Sequence, residues 1–177
     1  RRSITRGYAR VVRPILSLAI ASVLLAPAPS GAADVTKSKR LWATINVCDT
    51  AKAPNTVGVR VSMPGSGKRN ERMYARIRLQ YFRSSTSSWI SLGDGADSGW
   101  LSLGKATFLR RETGWTQKLS APAPGQQFRI RGSVDFEWRR GAAVVRHAKR
   151  LTAGRTANVQ GADPAGYSAA QCIVVAP

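Results

Sequence analysis

The alternation of apolar and polar positions carries most of what this chain says about its fold. From Phe128 to Trp138 one set of alternate positions is Phe128, Ile130, Gly132, Val134, Phe136 and Trp138. The other set is Arg129, Arg131, Ser133, Asp135, Glu137 and Arg139. A period of two predicts a strand with one buried and one solvated face. Arg140-Gly141 predicts a tight turn and Ala142 to Leu151 a returning strand, so the pair reads as a β-hairpin. With Arg140 and Gly141 as the turn residues, Asp135 lies opposite Arg146, Glu137 opposite Val144, and His147 opposite Val134 on the buried side. Met73 to Phe82 alternates in the same way, with Arg76 and Arg78 on the solvated face, and so does Thr56 to Met63. Leu41 to Val47 predicts a further strand ending at Cys48. Asp49–Asn55 and Pro64–Asn70 read as turn and loop.

The remaining segments are shorter. Residues 83–105 are Ser- and Gly-rich and contain an internal echo: Trp89-Ile-Ser-Leu-Gly is followed eleven residues later by Trp100-Leu-Ser-Leu-Gly. That spacing suits one short strand plus a turn, so the echo predicts two adjacent short strands. Ala106–Arg111 and Trp115–Leu119 predict two more. Ala121–Gly125 reads as a connector, Thr152–Gly166 as a loop, and Tyr167–Val175 as a last strand. About eight short strands and no helix beyond the N-terminal region predict an all-β fold, an antiparallel β-sandwich.

The first 33 residues do not fit that pattern. Five arginines precede an apolar run from Ile15 to Ala26, and small residues follow from Pro27 to Ala33. This is the order of a cleavable secretory signal peptide. The run has 12 residues, short of the roughly 17–25 that a spanning helix needs. The expected organisation is therefore a signal helix over 1–33, a basic lead-in over 34–40 and one sandwich domain over 41–177. Secretion to the medium or the cell envelope follows, with no transmembrane anchor after cleavage.

Charge sharpens the picture. The chain carries 28 basic and 9 acidic residues, a net +19. Residues 34–177 keep 23 of the basic residues and all 9 acids, a net +14, so the basic character belongs to the domain. Hydrophobic residues make up 43% of the chain, enough for a core. In an oxidising compartment the only two cysteines, Cys48 and Cys172, are expected to join as a staple between the first and last strands.

Catalytic chemistry finds little to build on. Asp135 and Glu137 share a strand face, as a glycosidase pair would need. Three arginines share it too, which reads as a cross-strand ion-pair lattice. His147 stands alone, with no cysteine left to pair with it. Asp94 and Asp97 read as turn formers rather than calcium ligands. No nucleophile elbow, dinucleotide fingerprint or Walker motif occurs, and Gly65-Ser66-Gly67-Lys68 lacks the spacing of a phosphate loop. No metal and no cofactor is expected. The candidate binding residues are the arginine stripes Arg76/Arg78 and Arg129/Arg131, for a polyanion, and Trp89 and Trp100, as exposed stacking surface.

The Phe128–Trp138 strand, the Arg139–Val145 hairpin and the Tyr167–Cys172 strand together resemble an immunoglobulin-like or fibronectin type III-like sandwich of a secreted bacterial protein. The resemblance spans roughly residues 41–175. It departs from antibody-type domains in its first-to-last cysteine pairing and in Tyr167, which lies five residues before Cys172 rather than two. What the resemblance implies is a binding or structural module. The expected function is an exported, non-catalytic module whose basic face engages an anionic polymer or envelope component. No specific nucleic-acid motif is present. The alternatives are a structural or assembly domain with a protein partner, and a small secreted hydrolase.

Overall fold

A computed structural model describes residues 34–154 and 159–176. The leader expected over residues 1–33 lies outside the described residues. Nine strands follow one another: β1 (Trp42–Thr50), β2 (Ala53–Pro64), β3 (Arg72–Arg83), β4 (Ser88–Ser91), β5 (Asp97–Lys105), β6 (Arg110–Lys118), β7 (Gln127–Arg140), β8 (Ala143–Leu151) and β9 (Cys172–Val175). All pair antiparallel. The smaller sheet has the order β1-β2-β6. The larger sheet is built on β3 and β7, which pair from Arg72↔Arg139 to Tyr81↔Ile130. Each of these long strands is flanked by two short ones laid end to end, β5 and β4 beside β3 and β8 and β9 beside β7. The chain is therefore an all-β, two-sheet antiparallel fold of sandwich type.

The period of two is what closes the sandwich. Val57, Val59, Val61 and Met63 of β2 and Met73, Ala75, Ile77 and Leu79 of β3 are fully buried. They meet Ile130, Val134, Phe136 and Trp138 of β7 in one core. Burying each large apolar side chain contributes about 1.5–3 kcal/mol relative to leaving it in water. The indole Nε1 of Trp138 donates to the Pro64 carbonyl at 3.0 Å, so the largest core side chain also satisfies its polar atom. Cys48 of β1 and Cys172 of β9 form a disulfide with Cα atoms 5.4 Å apart, which staples the smaller sheet to the larger one. Described parts of the segment after β8 return along β1. Ala153 and Ala169 donate backbone N–H groups to Ala43 and Ile45, and Asp163 to Asn46, so the edge of β1 is covered.

Several sequence expectations need correction. Ala106–Arg111 and Trp115–Leu119 are not two strands. Residues 106–109 form a turn and Arg110–Lys118 is continuous, because β6 pairs in unbroken register with β2 from Thr56↔Lys118 to Pro64↔Arg110. The final strand is Cys172–Val175 alone, with Ala169 making an isolated bridge to Ile45. Within the lead-in, Val35–Lys37 forms one 3-10 turn, capped by the Asp34 carboxylate, which accepts from Thr36 N–H at 3.0 Å. The hairpin register also differs. The turn residues are Gly141 and Ala142, with Gly141 at φ 58°, and a bulge lies between Trp138 and Arg139. Glu137 therefore stands opposite His147 and Asp135 opposite Lys149. His147 is half exposed on the solvated face rather than facing the core. The displacement comes from the glycine, which takes the left-handed conformation a tight hairpin needs, and from the extra residue that the bulge places in β8.

Candidate polyanion-binding face

The solvated positions of β3 and β7 lie side by side on the outside of the larger sheet. Antiparallel pairing sets Tyr74 beside Glu137, Arg76 beside Asp135, Arg78 beside Ser133 and Gln80 beside Arg131. All four arginines singled out from the sequence thus share one face, but their environments divide them.

Arg76 and Arg78 are neutralised. Arg76 Nε donates to both carboxylate oxygens of Asp97 at 2.9 Å, and its Nη2 reaches Asp97 Oδ2 at 2.6 Å. The Arg76 guanidinium holds the Asp97 carboxyl below its ordinary range, against the opposing effect of burial. Arg78 Nη2 donates to Asp135 Oδ2, and His147 Nε2 lies 3.2 Å from Asp135 Oδ1. Both oxygens of the buried Asp135 are therefore engaged. Glu137 accepts from Arg139 Nε at 2.6 Å. The two carboxylates considered for hydrolysis are held in ion pairs across and along the sheet, and Asp97 is occupied in the same way.

Arg129 and Arg131 are held by rings instead. The Arg131 guanidinium sits over the Trp89 ring at 4.1 Å from its centroid, and Arg129 sits over Phe82 at 5.0 Å. Phe82 and Trp89 are themselves packed at 5.4 Å with planes tilted by 60°. Gln80 Oε1 accepts from Arg131 Nε at 2.8 Å and orients the fork. Burial lowers the Arg131 pKa, yet a guanidinium starting so high stays charged. Stacking uses the flat faces of these groups and leaves their in-plane N–H donors directed along the surface, where bidentate pairing with a carboxylate or phosphate is geometrically matched. Among the described residues no ion pair to a carboxylate is recorded for either one.

The two tryptophans of the echoed segments land on one edge. Trp89 of β4 lies opposite Phe82, and Trp100 of β5 opposite Arg76. The segments do not pair with each other. They follow one another along β3, which puts the two rings roughly 20 Å apart at 3.3 Å per residue. Trp100 is exposed at 36%, whereas Trp89 is half-buried beneath Arg131. Arg139 covers both Tyr74 and Trp100, with centroid distances of 4.6 and 4.4 Å. Each tryptophan thus carries an arginine of β7. Sequence reasoning missed Arg139, Tyr74 and Phe82 as members of these clusters. Their phase along β3 and β7 placed them on the right face, but the strand pairing was needed to bring them to Trp89 and Trp100.

The Gly65–Lys68 loop turns its backbone inward. Gly65 N–H donates to Leu109 O and Gly67 N–H to Ala106 O, so these donors clasp a neighbouring turn and are not free to cradle a phosphate. Among the described residues no helix is long and apolar enough to cross a membrane. Comparison with protein-family models, curated proteins and solved structures gave no match for this chain.

Proposed function

We propose that the chain is an exported binding module, an immunoglobulin-like or fibronectin type III-like sandwich of bacterial type, whose basic sheet face docks a linear anionic polymer of the cell envelope or its surroundings without transforming it. The observation that carries this reading is the contrast within the face. Arg76 and Arg78 have carboxylate partners, whereas Arg129 and Arg131 are stacked on Phe82 and Trp89 without one among the described residues, Arg131 giving only its Nε–H to Gln80. Such a cluster offers charge together with an aromatic platform, the combination that takes sugars or bases bearing anionic groups. The net +14 of residues 34–177 adds long-range attraction that cannot by itself choose a partner. Export accords with the Cys48–Cys172 bond, since such bonds persist in oxidising compartments.

The test is retention of the oxidised chain on purified cell-wall polymer, on DNA and on anionic vesicles across a salt series. Retention on wall polymer at physiological salt that Arg129→Gln with Arg131→Gln abolishes, with DNA washed off, supports the reading. Release of all three together at modest salt removes its main support. A second reading, an assembly domain with a protein partner, is favoured by one feature. Leu151, Ile173 and Val175 are exposed along the β8–β9 edge of the same sheet, a margin of the kind that protein partners cover.

A further inference from the structure

A second surface, at the end of the sandwich remote from Arg129, has a different chemistry. Three loops converge there. The turn 106–109 is tied to the β2–β3 loop by Gly65 N–H donating to Leu109 O at 3.3 Å, Gly67 N–H to Ala106 O at 2.8 Å, and Ala106 N–H to Glu71 O at 2.9 Å. The start of β3 joins the same end, since Arg72 pairs with Lys105 on one side and with Arg139 on the other. The β7–β8 turn follows directly from Arg139 and Arg140. At 3.3 Å per residue, this end lies roughly 30 Å along β3 from Phe82.

The tip is apolar and its surround is cationic. Leu109 is 71% exposed and Phe108 is 46% exposed, adjacent residues at the crest of a four-residue turn, and Val144 beside the next turn is exposed at 50%. A single exposed leucine is ordinary. Two large apolar side chains at one crest, held outward by three backbone hydrogen bonds, are a feature that a purely aqueous surface does not require. Arg111 lies over the Phe108 ring at 4.2 Å and so places a charge at the base of the crest. Around it stand exposed Lys68, Arg69, Arg72, Lys105, Arg110 and Arg140. Two acids lie near this end: Glu71, which is fully buried and paired to Arg140 and Arg146, and Glu112, which pairs with Arg110 at 3.3 Å and Arg60 at 3.6 Å; Lys68, Arg69, Arg72 and Lys105 make no ion pair among the described residues.

We infer that this end of the sandwich seats on an anionic lipid bilayer, with Phe108 and Leu109 entering the boundary between headgroups and acyl chains and the lysine and arginine collar resting on the headgroups. Charge complementarity chooses the occupant. An apolar crest alone would suit many partners, but a crest inside a ring of cations matches a surface that is apolar beneath an anionic layer. The long stems of the collar let its charges remain at headgroup level while the crest goes deeper. This seat is separate from the Arg129–Arg131 face and does not depend on it.

The experiment uses the full chain with its disulfide intact, and phosphatidylcholine vesicles with or without phosphatidylglycerol. Leu109→Trp provides the reporter, read as the emission difference from the parent chain, so every other segment cancels. A blue shift at position 109 on phosphatidylglycerol vesicles, absent on phosphatidylcholine alone, is the expected result. Lys68→Gln with Arg69→Gln in the reporter chain should raise the lipid concentration for half-shift by roughly 25-fold, about fivefold per cation removed. An unshifted reporter, or an equal shift on both vesicle types, overturns the inference. The Arg129→Gln and Arg131→Gln changes should leave this shift in place while weakening polymer retention, so the two surfaces fail or survive separately.

Discussion

Glu71 is fully buried with its Oε2 2.6 Å from Arg146 Nη1, an ion pair that ties the start of β3 to the middle of β8. Ser66 Oγ donates to the same oxygen at 2.6 Å, and Arg140 reaches Oε1 at 3.3 Å. Burial pushes the carboxyl up, but the hydroxyl and the two guanidinium groups more than offset it, and the pKa lies below the ordinary 4.5. A carboxyl whose pKa is depressed on folding gives stability that is complete above the unfolded value. That stability is lost as pH falls through the folded value. Asp97, lowered by Arg76, acts in the same direction. The urea midpoint should therefore hold from neutral pH to about 5 and fall below 4. Glu71→Gln should cost about 1–3 kcal/mol at pH 7 and flatten that acid limb. An unchanged limb in the variant would contradict the assignment.

The Cys48–Cys172 bond closes a sequence separation of 124 residues and joins the two sheets. Chain-entropy arithmetic for a loop of that size gives about 4–5 kcal/mol. For a domain of this length that corresponds to a melting-temperature change on the order of 10 °C. Cys48→Ala with Cys172→Ala should lower Tm by that amount, and a reductant should bring the parent chain to the same value. A midpoint indifferent to reductant would mean that the sheets hold together without the staple.

The parts of the fold legible in the sequence were those where one face is dry. Val57 to Met63, Met73 to Leu79 and Ile130 to Trp138 announce their phase because each apolar residue on that face is fully buried. The solvated partners of those strands were therefore known as well, which is why Arg76, Arg78, Arg129 and Arg131 could be assigned to faces before their neighbours were. Trp115 and its strand were less clear. In β6 no residue is fully buried, so the alternation is weak and the sequence pattern divides the strand in two. Starting the hairpin turn at Gly141 instead of Arg140 moves every pairing by two residues and leaves His147 on the core side; the one extra residue of the bulge is what turns it to the solvent side. Nothing local signals the Trp138–Arg139 bulge. The ion pairs were out of reach for a different reason. Arg76 meets Asp97 from 21 residues away and Arg78 meets Asp135 from 57, and only strand order makes them neighbours.

Gly65 is a position where a side chain cannot be added. A Cβ there would collide with the carbonyl oxygens of Phe108 and Ala106, which are backbone atoms and cannot swing aside. Gly65→Ala should break the clasp between the β2–β3 loop and the turn 106–109, at a cost of about 1–3 kcal/mol. It should also speed amide exchange at Gly67, whose N–H the clasp protects. Gly67 takes φ 75° but has open space around its Cβ position, so Gly67→Ala should cost less, through backbone strain of about 1–2 kcal/mol. Equal effects of the two substitutions would mean that the close approach at Gly65 is not what holds the turn.

Arg131 and Arg78 sit on the same face and should behave oppositely when neutralised. Arg131 has no carboxylate partner and rests on Trp89, so Arg131→Gln removes a charge that an incoming anion would meet. Together with Arg129→Gln it should weaken retention on anionic polymer and reduce the slope of log affinity against log salt by about one per arginine. Stability should change little, since what is lost is stacking at a partly solvated site. Arg78→Gln should do the reverse. It leaves Asp135, 7% exposed, without its guanidinium, and His147 is then its one ion-pair contact among the described residues. The cost should appear as about 1–3 kcal/mol of stability, with the salt slope nearly that of the parent. Urea denaturation and a salt series on the same three chains decide the matter. If Arg78→Gln lowers the salt slope as much as the Arg129/Arg131 pair does, the ion-paired arginines also meet the polymer, and the division of this face into structural and binding cations fails.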